Sequence, residues 1–423
     1  MSIVIVVGAN WGDEGKGRMV DYLAQDAEYV VRFQGGNNAG HTVVNDHGTF
    51  KLHLLPSGVF NPRVTNILGP GMVIDLQGLV EEVEDLRQKG FEPTVRVSER
   101  ATICFPFHRM EDGWEEDRLG NAAYGSTRRG IAPAYGDRTV KKAIQVGELL
   151  YPERLAERLR HVVEWKKLKA KGIYGQDNCF SFEEMLAWTE NYGAKVRDLI
   201  TDTSEILENA ARDGKNILFE AQLGTLRDLN FGIYPFTTSS CALAAYAPIG
   251  GGLFGHAPDR VIAVVKAFST CVGEGPFVTR MEEGEADSLR ETAHEYGAAT
   301  GRPRTIGHFD ALATRYGVSV QGATEVALTK LDSLSGLKTL KICTEYAWRN
   351  KRIHRFPLNA ILDEATPVYE EMPGWEEDIS KVRHFAELPK TAQDYVLEIE
   401  RLIQCPVRYV SVGPDREALI TRE

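Results

Sequence analysis

Residues 3–44 constrain the fold more than any other part of this chain. The β-branched run at 3–7 has the continuous apolar character of a parallel strand buried on both faces, and Gly8 ends it. Gly8, Gly12 and Gly15 space out a loop, and Lys16 opens an amphipathic stretch that runs to Leu23. Strand, glycine loop and helix with a lysine at its mouth is an arrangement that cradles phosphate. Bare N–H groups point at the anion, the helix dipole adds partial positive charge, and the lysine adds a full one. The spacing is not the usual P-loop one. Asn10 stands where its first glycine would be, and Gly17 replaces the hydroxyl residue that would hold magnesium. Asp13 inside the loop is unusual, because a carboxylate beside phosphates needs a metal or a proton to balance it. A second glycine-rich turn, Gln34-Gly35-Gly36-Asn37-Asn38-Ala39-Gly40-His41, is rich in amides and ends on a histidine. Either loop alone is compatible with an ordinary turn. Together, one carrying aspartate and lysine and the other histidine, they mark a site.

The length of 423 residues allows two or three domains on size alone, although large α/β enzymes also build one extended sheet. A hydrophobic content of 43% and a charged content of 26% are those of a globular chain. The net charge of −11 argues against bulk nucleic-acid binding, so basic sites must be local. Six cysteines (Cys104, Cys179, Cys241, Cys271, Cys343, Cys405) lack the paired spacing of zinc or redox sites and are expected as buried thiols in a reducing cytoplasm. With a core strand at its start the chain is expected to carry no signal peptide, and no apolar run is long enough to span a membrane.

Along the chain, 42–44 and 51–54 read as a hairpin around Asp46-His47-Gly48, and Asp75 caps a helix through Lys89. Strands are expected at 95–97 and 101–105. Residues 120–142 combine glycine, small residues and cations (Arg128, Arg129, Arg138, Lys141, Lys142), which suits a mobile loop closing over anions or a solvated basic face. Residues 151–212 are mostly helical, and the run Lys166-Lys167-Leu168-Lys169-Ala170-Lys171 reads as a solvated helix face. A buried strand at 216–220 leads into hydroxyls at Thr237, Thr238, Ser239 and Ser240, suited to a phosphate or sugar, or to capping a helix. Residues 248–252 form a tight turn, 260–268 a core strand and 309–316 a helix. Arg302 and Arg304 flank a proline, a pattern for fork-like recognition of carboxylate or phosphate, or for structural ion pairs. Lys330 and Asp332 follow a strand at 325–328, at the edge where open α/β sheets bind ligands, and a last strand lies at 407–411.

The motifs WGDEGKG, RFQGGNNAGHT, GSTRRGIAPAY, YPFTTSS, STCVGEGPF, TGRPRTIG, TKLDSLSGL and VGPDRE occur in this order over nearly the full length. In them the chain resembles the adenylosuccinate synthetases, GTP-dependent ligases that join aspartate to IMP. The resemblance implies one α/β domain over residues 1–423, built around a mostly parallel sheet, together with a homodimer and one Mg²⁺ per subunit. It implies that Asp13 accepts the purine N1 proton and binds Mg²⁺ with Gly40, and that His41 meets the transferring phosphoryl. Lys16 and the loop residues Gly12, Glu14, Gly15 and Gly17 would hold the GTP phosphates, joined by Gly40 and Thr42. Arg304 would meet the GTP ribose, with Lys330, Asp332, Ser411 and Gly413 around the guanine. Asn38, Thr127, Lys141, Gln222, Leu223, Thr238, Val272 and Arg302 would surround IMP. Ala299, Thr300 and Arg302 would hold the aspartate.

Three positions depart from the family pattern. Lys141 replaces an arginine that commonly reaches across the dimer, and Ala299 stands where threonine is common. The usual FEGAQGT reads FEAQLGT, so Leu223 occupies the glutamine position and Gln222 is displaced by one. The rival expectations are the same chemistry on another 6-oxopurine nucleotide and a non-catalytic GTP-binding paralogue.

Overall fold

The apolar runs pair into one ten-stranded sheet. Its strands are β1 (Ile3–Gly8), β2 (Tyr29–Arg32), β3 (Thr65–Leu68), β4 (Thr94–Ser98), β5 (Ile200–Thr201), β6 (Ile217–Glu220), β7 (Arg260–Lys266), β8 (Glu325–Thr329), β9 (Val407–Ser411) and β10 (Leu419–Thr421). The structure, a computed structural model, describes every residue except 39, 46, 47, 298–300 and 423. The spatial order is β10-β9-β8-β7-β1-β6-β2-β3-β4-β5, and every neighbouring pair is parallel except β9 with β10.

Strand β1 lies inside the sheet with both faces buried, as its unbroken apolar run requires. Its side chains alternate. Ile5 and Val7 join Phe219, Ala263 and Val265 in one core cluster, while Val6 joins Leu218, Ile262, Val264 and Met19 in another. Because the strands run parallel, Gly8, Arg32, Glu220, Lys266, Thr329 and Ser411 all end on one edge. That edge receives the loops with the candidate residues.

The helices that shape the site are α1 (Lys16–Leu23), α2 (Leu76–Gln88), α3 (Pro106–Leu119), α4 (Ile131–Thr139) and α5 (Pro152–Tyr174). Asp75 caps α2 as expected, its side chain accepting from Gly78 N. The hairpin forms between His41–Asn45 and Gly48–Leu52, although Asp46 and His47 lie outside the described residues. A second, smaller sheet carries Leu337–Trp348 and Thr366–Trp375. No helix among the described residues is long and apolar enough to cross a membrane. All six cysteines are free, with Cys104, Cys271, Cys343 and Cys405 buried and the other two half-buried.

Several expectations are corrected. Residues 120–142 are not all loop: α4 occupies nine of them, packed on α3 with Asp137 against His108, while Ile131 and Ala134 bury beside Val73 and Cys104. The strand expected at 101–105 shrinks to Thr102–Ile103, because Pro106 begins α3. Residues Phe309–Asp310 are strand, and Asp310 caps the helix Ala311–Gln321. Residues Ala247–Gly251 form a short helix rather than a turn.

The lysine run on α5 is not wholly solvated. Lys166 is 2% exposed, with Nζ 2.6 Å from Glu111 Oε2 on α3 and 2.7 Å from Asp137 Oδ2 on α4. His108 Nε2 lies 3.0 Å from the same Asp137 oxygen. These groups pin three helices together. Lys166→Met removes the cation the two carboxylates share but leaves Glu111 its Lys169 and Asp137 its His108, so it is expected to cost about 2 kcal/mol of stability, measured by urea unfolding.

Candidate active site

The loop after β1 owes its shape to two features of its sequence. Gly15 (φ 98°) lies in the left-handed region, where a side chain is disfavoured, and leads directly into α1. Glu14 is 2% exposed, and its carboxylate turns back into the loop, accepting from Asn10 N (3.2 Å) and Gly12 N (2.8 Å). Its second oxygen holds Lys16 Nζ at 2.6 Å. Two loop amides and the lysine thus converge on an internal carboxylate. Gly17 replaces the expected hydroxyl residue for a steric reason: a Cβ there would lie 3.0 Å from His41 Cδ2.

His41 stands behind Gly17 with Nε2 3.4 Å from Glu220 Oε1, but Nε2 makes no hydrogen bond among the described residues. Burial holds its pKa well below the usual histidine value, and the Arg32, His53 and Lys16 charges push it the same way. The imidazole is therefore neutral, and its approach to Glu220 is a contact rather than an ion pair.

A cavity of about 730 Å³ opens at the strand edge. Its wall brings together Gly12, Asp13, Asn38, Gly40, Thr127, Leu223, Thr238, Val272 and Arg304. Asp13 adopts φ 60°, and its Oδ2 accepts from Arg304 Nε at 3.0 Å. Arg304 Nη1 is 2.5 Å from Glu295 Oε2, which also accepts from Lys266 Nζ at 2.7 Å. Burial lowers the Lys266 pKa to about 8, with Glu295 opposing. Arg304 was expected at the GTP ribose; in this structure it pairs with Asp13.

A second group gathers beside α1. Arg18 donates to Ser411 Oγ and to Asp415 O (2.6 Å), Ser411 Oγ donates to Gly413 O (3.2 Å), and Lys330 Nζ donates to Ala293 O (2.8 Å). Asp332 Oδ1 is buried with no hydrogen-bond partner among the described residues, and burial pushes this carboxyl's pKa up. An orphaned acceptor of this kind suits a ligand carrying two adjacent N–H donors.

Other expected residues lie elsewhere. Gln222 is buried, donating from Nε2 to Gly36 O at 2.7 Å, and does not reach the cavity wall; Leu223 does. The one-residue displacement thus turns the amide inward and presents an apolar side chain. Lys141, Arg302 and Thr42 are exposed and off the wall. Ala299 and Thr300 lie outside the described residues. Sequence reasoning missed Arg18, Lys266, Glu295 and Arg227. It also missed Asp112 and Glu116 on α3, whose carboxylates accept from the backbone of 124–126 and 130 and hold the loop carrying Thr127. Only Arg18, next to the glycine–lysine loop, carried a local signal.

Among the described residues no three His, Cys, Asp or Glu side chains form a metal cluster. Asp13 and Gly40 on one wall fit a different kind of site, in which Mg²⁺ takes one or two protein oxygens and fills its octahedron with phosphate and water.

Comparisons with known proteins place the chain in a family. The family model for adenylosuccinate synthetase matches residues 5–420. The chain is 53% identical to "Adenylosuccinate synthetase 2" of Pseudoalteromonas translucida, with all of both chains covered. It is 46% identical to the adenylosuccinate synthetase of Caldanaerobacter subterraneus subsp. tengcongensis over 99% of each. The solved structure of the fully ligated adenylosuccinate synthetase from Plasmodium falciparum superposes with a TM-score of 0.94 at 33% identity, covering 100% of both chains. On this sequence and this fold, the chain belongs to the adenylosuccinate synthetase family.

Proposed function

We propose that this chain joins L-aspartate to IMP at the expense of GTP, giving adenylosuccinate, GDP and phosphate, and that Asp13 is the base that starts the reaction. The observation that carries the assignment is Asp13 on the wall of the cavity that also holds Thr127, Thr238 and Val272, at the mouth of the Lys16 loop. The purine 6-oxygen is a poor leaving group, so an amine cannot displace it directly. Asp13 takes the N1 proton, and the 6-oxygen becomes an oxyanion that attacks the γ-phosphoryl of GTP. The bond from O6 to phosphorus forms as the bond to the β-phosphate oxygen breaks, and GDP leaves. The amine of aspartate then attacks C6, and phosphate departs with O6.

Phosphoryl transfer needs position and charge neutralisation more than covalent help. Lys16 neutralises the GTP phosphates and His41 donates a neutral N–H to the transferring group. Asp13 and Gly40 would hold Mg²⁺, which would supply further positive charge to the phosphates. Thr127 and Thr238 hold the nucleotide phosphate, and Asp332 with Lys330 reads the guanine. Thr300 and Arg302 take the aspartate. Arg304 leaves Asp13 for the GTP ribose when the nucleotide binds. The subunits pair, and Lys141, exposed and off its own cavity wall, serves the partner's nucleotide site.

The test is a mixing assay with purified protein, IMP, GTP, aspartate and Mg²⁺, followed by the ultraviolet change as the 6-oxo group becomes a 6-amino substituent. Product requires all four components, and a chelator stops turnover until excess Mg²⁺ restores it. Turnover only with a different purine nucleotide would overturn the IMP assignment and point to Leu223. Silence with every nucleotide despite GTP binding would overturn the enzyme assignment. Sedimentation of the free protein tests the dimer.

A further inference from the structure

We infer that Arg227 is a positioning residue for the nucleotide substrate, whose guanidinium fixes the two loops that carry Thr238 and Val272. The inference rests on the proposal that these two residues line the nucleotide's end of the cavity. Arg227 is 7% exposed and forms part of the cavity wall. Its Nη1 donates to Phe236 O (2.5 Å) and Glu274 O (3.0 Å), and its Nη2 donates to Val272 O (2.8 Å) and Cys271 Sγ (2.9 Å). The carbonyl of Arg227 accepts from Thr238 N at 2.8 Å. One residue thus ties the Phe236–Thr238 turn to the segment Cys271-Val272-Gly273-Glu274. Neither stretch has a regular hydrogen-bond ladder of its own beyond the strand that ends at Cys271.

The chemistry of the contacts sets what Arg227 does. Two terminal nitrogens carry four N–H bonds, and four acceptors take them, so the fork has no terminal donor left for a ligand. It acts through the loops. A planar fork reaches four acceptors in two segments at once, which a lysine ammonium on a flexible stem does not. Among the described residues no carboxylate pairs with this guanidinium. Asp228, next in sequence, turns away to Asn230 N, Phe231 N and Ala242 N, and Glu274 offers only its carbonyl. Every acceptor bonded to this buried cation is neutral, so an anion entering the neighbouring cavity gains from its charge. A phosphate-bearing nucleotide is such an anion.

The experiment is steady-state kinetics on the full-length chain with Arg227→Met, Arg227→Lys, Cys271→Ala and Thr238→Ala, each checked by thermal unfolding. Arg227→Met is expected to raise KM for IMP about thirtyfold, and Arg227→Lys, which keeps the charge but loses the fork, about tenfold. KM for GTP stays within about twofold, because the guanine group beside α1 shares no contact with Arg227. Cys271→Ala removes one of four contacts and gives the smallest rise, about twofold. Unchanged KM for IMP in Arg227→Lys and Arg227→Met overturns the inference. So does a fall in kcat with a parallel rise in all three KM values, which would mark a purely structural arginine. If Arg227→Met fails to fold, Arg227→Lys and Cys271→Ala decide the matter. Thr238→Ala separates the two levels. If it leaves KM for IMP unmoved, the assignment of the nucleotide end fails; if it raises KM while Arg227→Lys does not, the role of Arg227 alone fails.

Discussion

Asp13→Asn is expected to lower kcat about ten thousandfold while GTP still binds and the protein still folds. The amide has nearly the same size but neither accepts the N1 proton nor carries charge, and general-base assistance alone is worth up to about four orders of magnitude. Folding survives because Arg304, deprived of Asp13, keeps Glu295 at 2.5 Å. GTP binding weakens through the lost Mg²⁺ ligand but persists, because Lys16, Arg18 and Asp332 are untouched and lie off the cavity wall that carries Asp13. Rapid-quench measurement of GDP formation in single turnover isolates the chemical step. A variant retaining a tenth or more of wild-type kcat would remove Asp13 from the role of base. Asp13→Glu is expected to lose about a hundredfold, far less than Asp13→Asn. Its carboxylate is displaced by one methylene from a loop position already fixed at φ 60°, and a shift of about 1 Å in a reacting group costs about a hundredfold.

What was legible in the sequence was local. Residues 3–7, 216–220, 260–268, 325–328 and 407–411 are apolar runs bounded by polar or glycine residues, and each became a strand of the central sheet. Their order in the sheet was not legible. It places β6 and β7 on either side of β1, pairings between segments far apart in the chain. The helix Ile131–Thr139 was missed because its glycine, proline and small residues carry no apolar stripe, and its stability comes from packing on α3 rather than from propensity. Lys166 was misread for the opposite reason. Four lysines within one short stretch suggest solvent, yet the partners that bury this one sit on two other helices. Glu295, fully buried between Lys266 and Arg304, looked like any charged residue after a charged helix. Charge pairs that close across the fold leave no periodic trace. The displaced glutamine was visible as a departure, but only the left-handed backbone at Leu223 (φ 58°) settles which side chain faces the cavity.

His41 gives the second large effect, and its charge state decides the form of the experiment. A cationic imidazole beside transferring phosphate would act as a point charge, whereas a neutral one acts through a single N–H. Burial, aided by the nearby Arg32 and Lys16 charges, holds this histidine neutral, and Nε2 is without a hydrogen-bond partner among the described residues. Removing one donor aimed at developing charge costs about a hundred- to a thousandfold in kcat, so His41→Ala is expected to fall about a thousandfold. His41→Gln places an amide N–H near the position of Nε2 and is expected to recover at least tenfold of that loss, because it restores the donor without any charge. Steady-state kinetics with saturating IMP and GTP measures both variants. Equal inactivity of the glutamine and alanine forms would argue that positive charge, not an N–H, is what the transfer requires. On the proposed roles the effect belongs to kcat rather than to binding, since His41 is assigned to the phosphoryl in transfer and Lys16 to the bound phosphates.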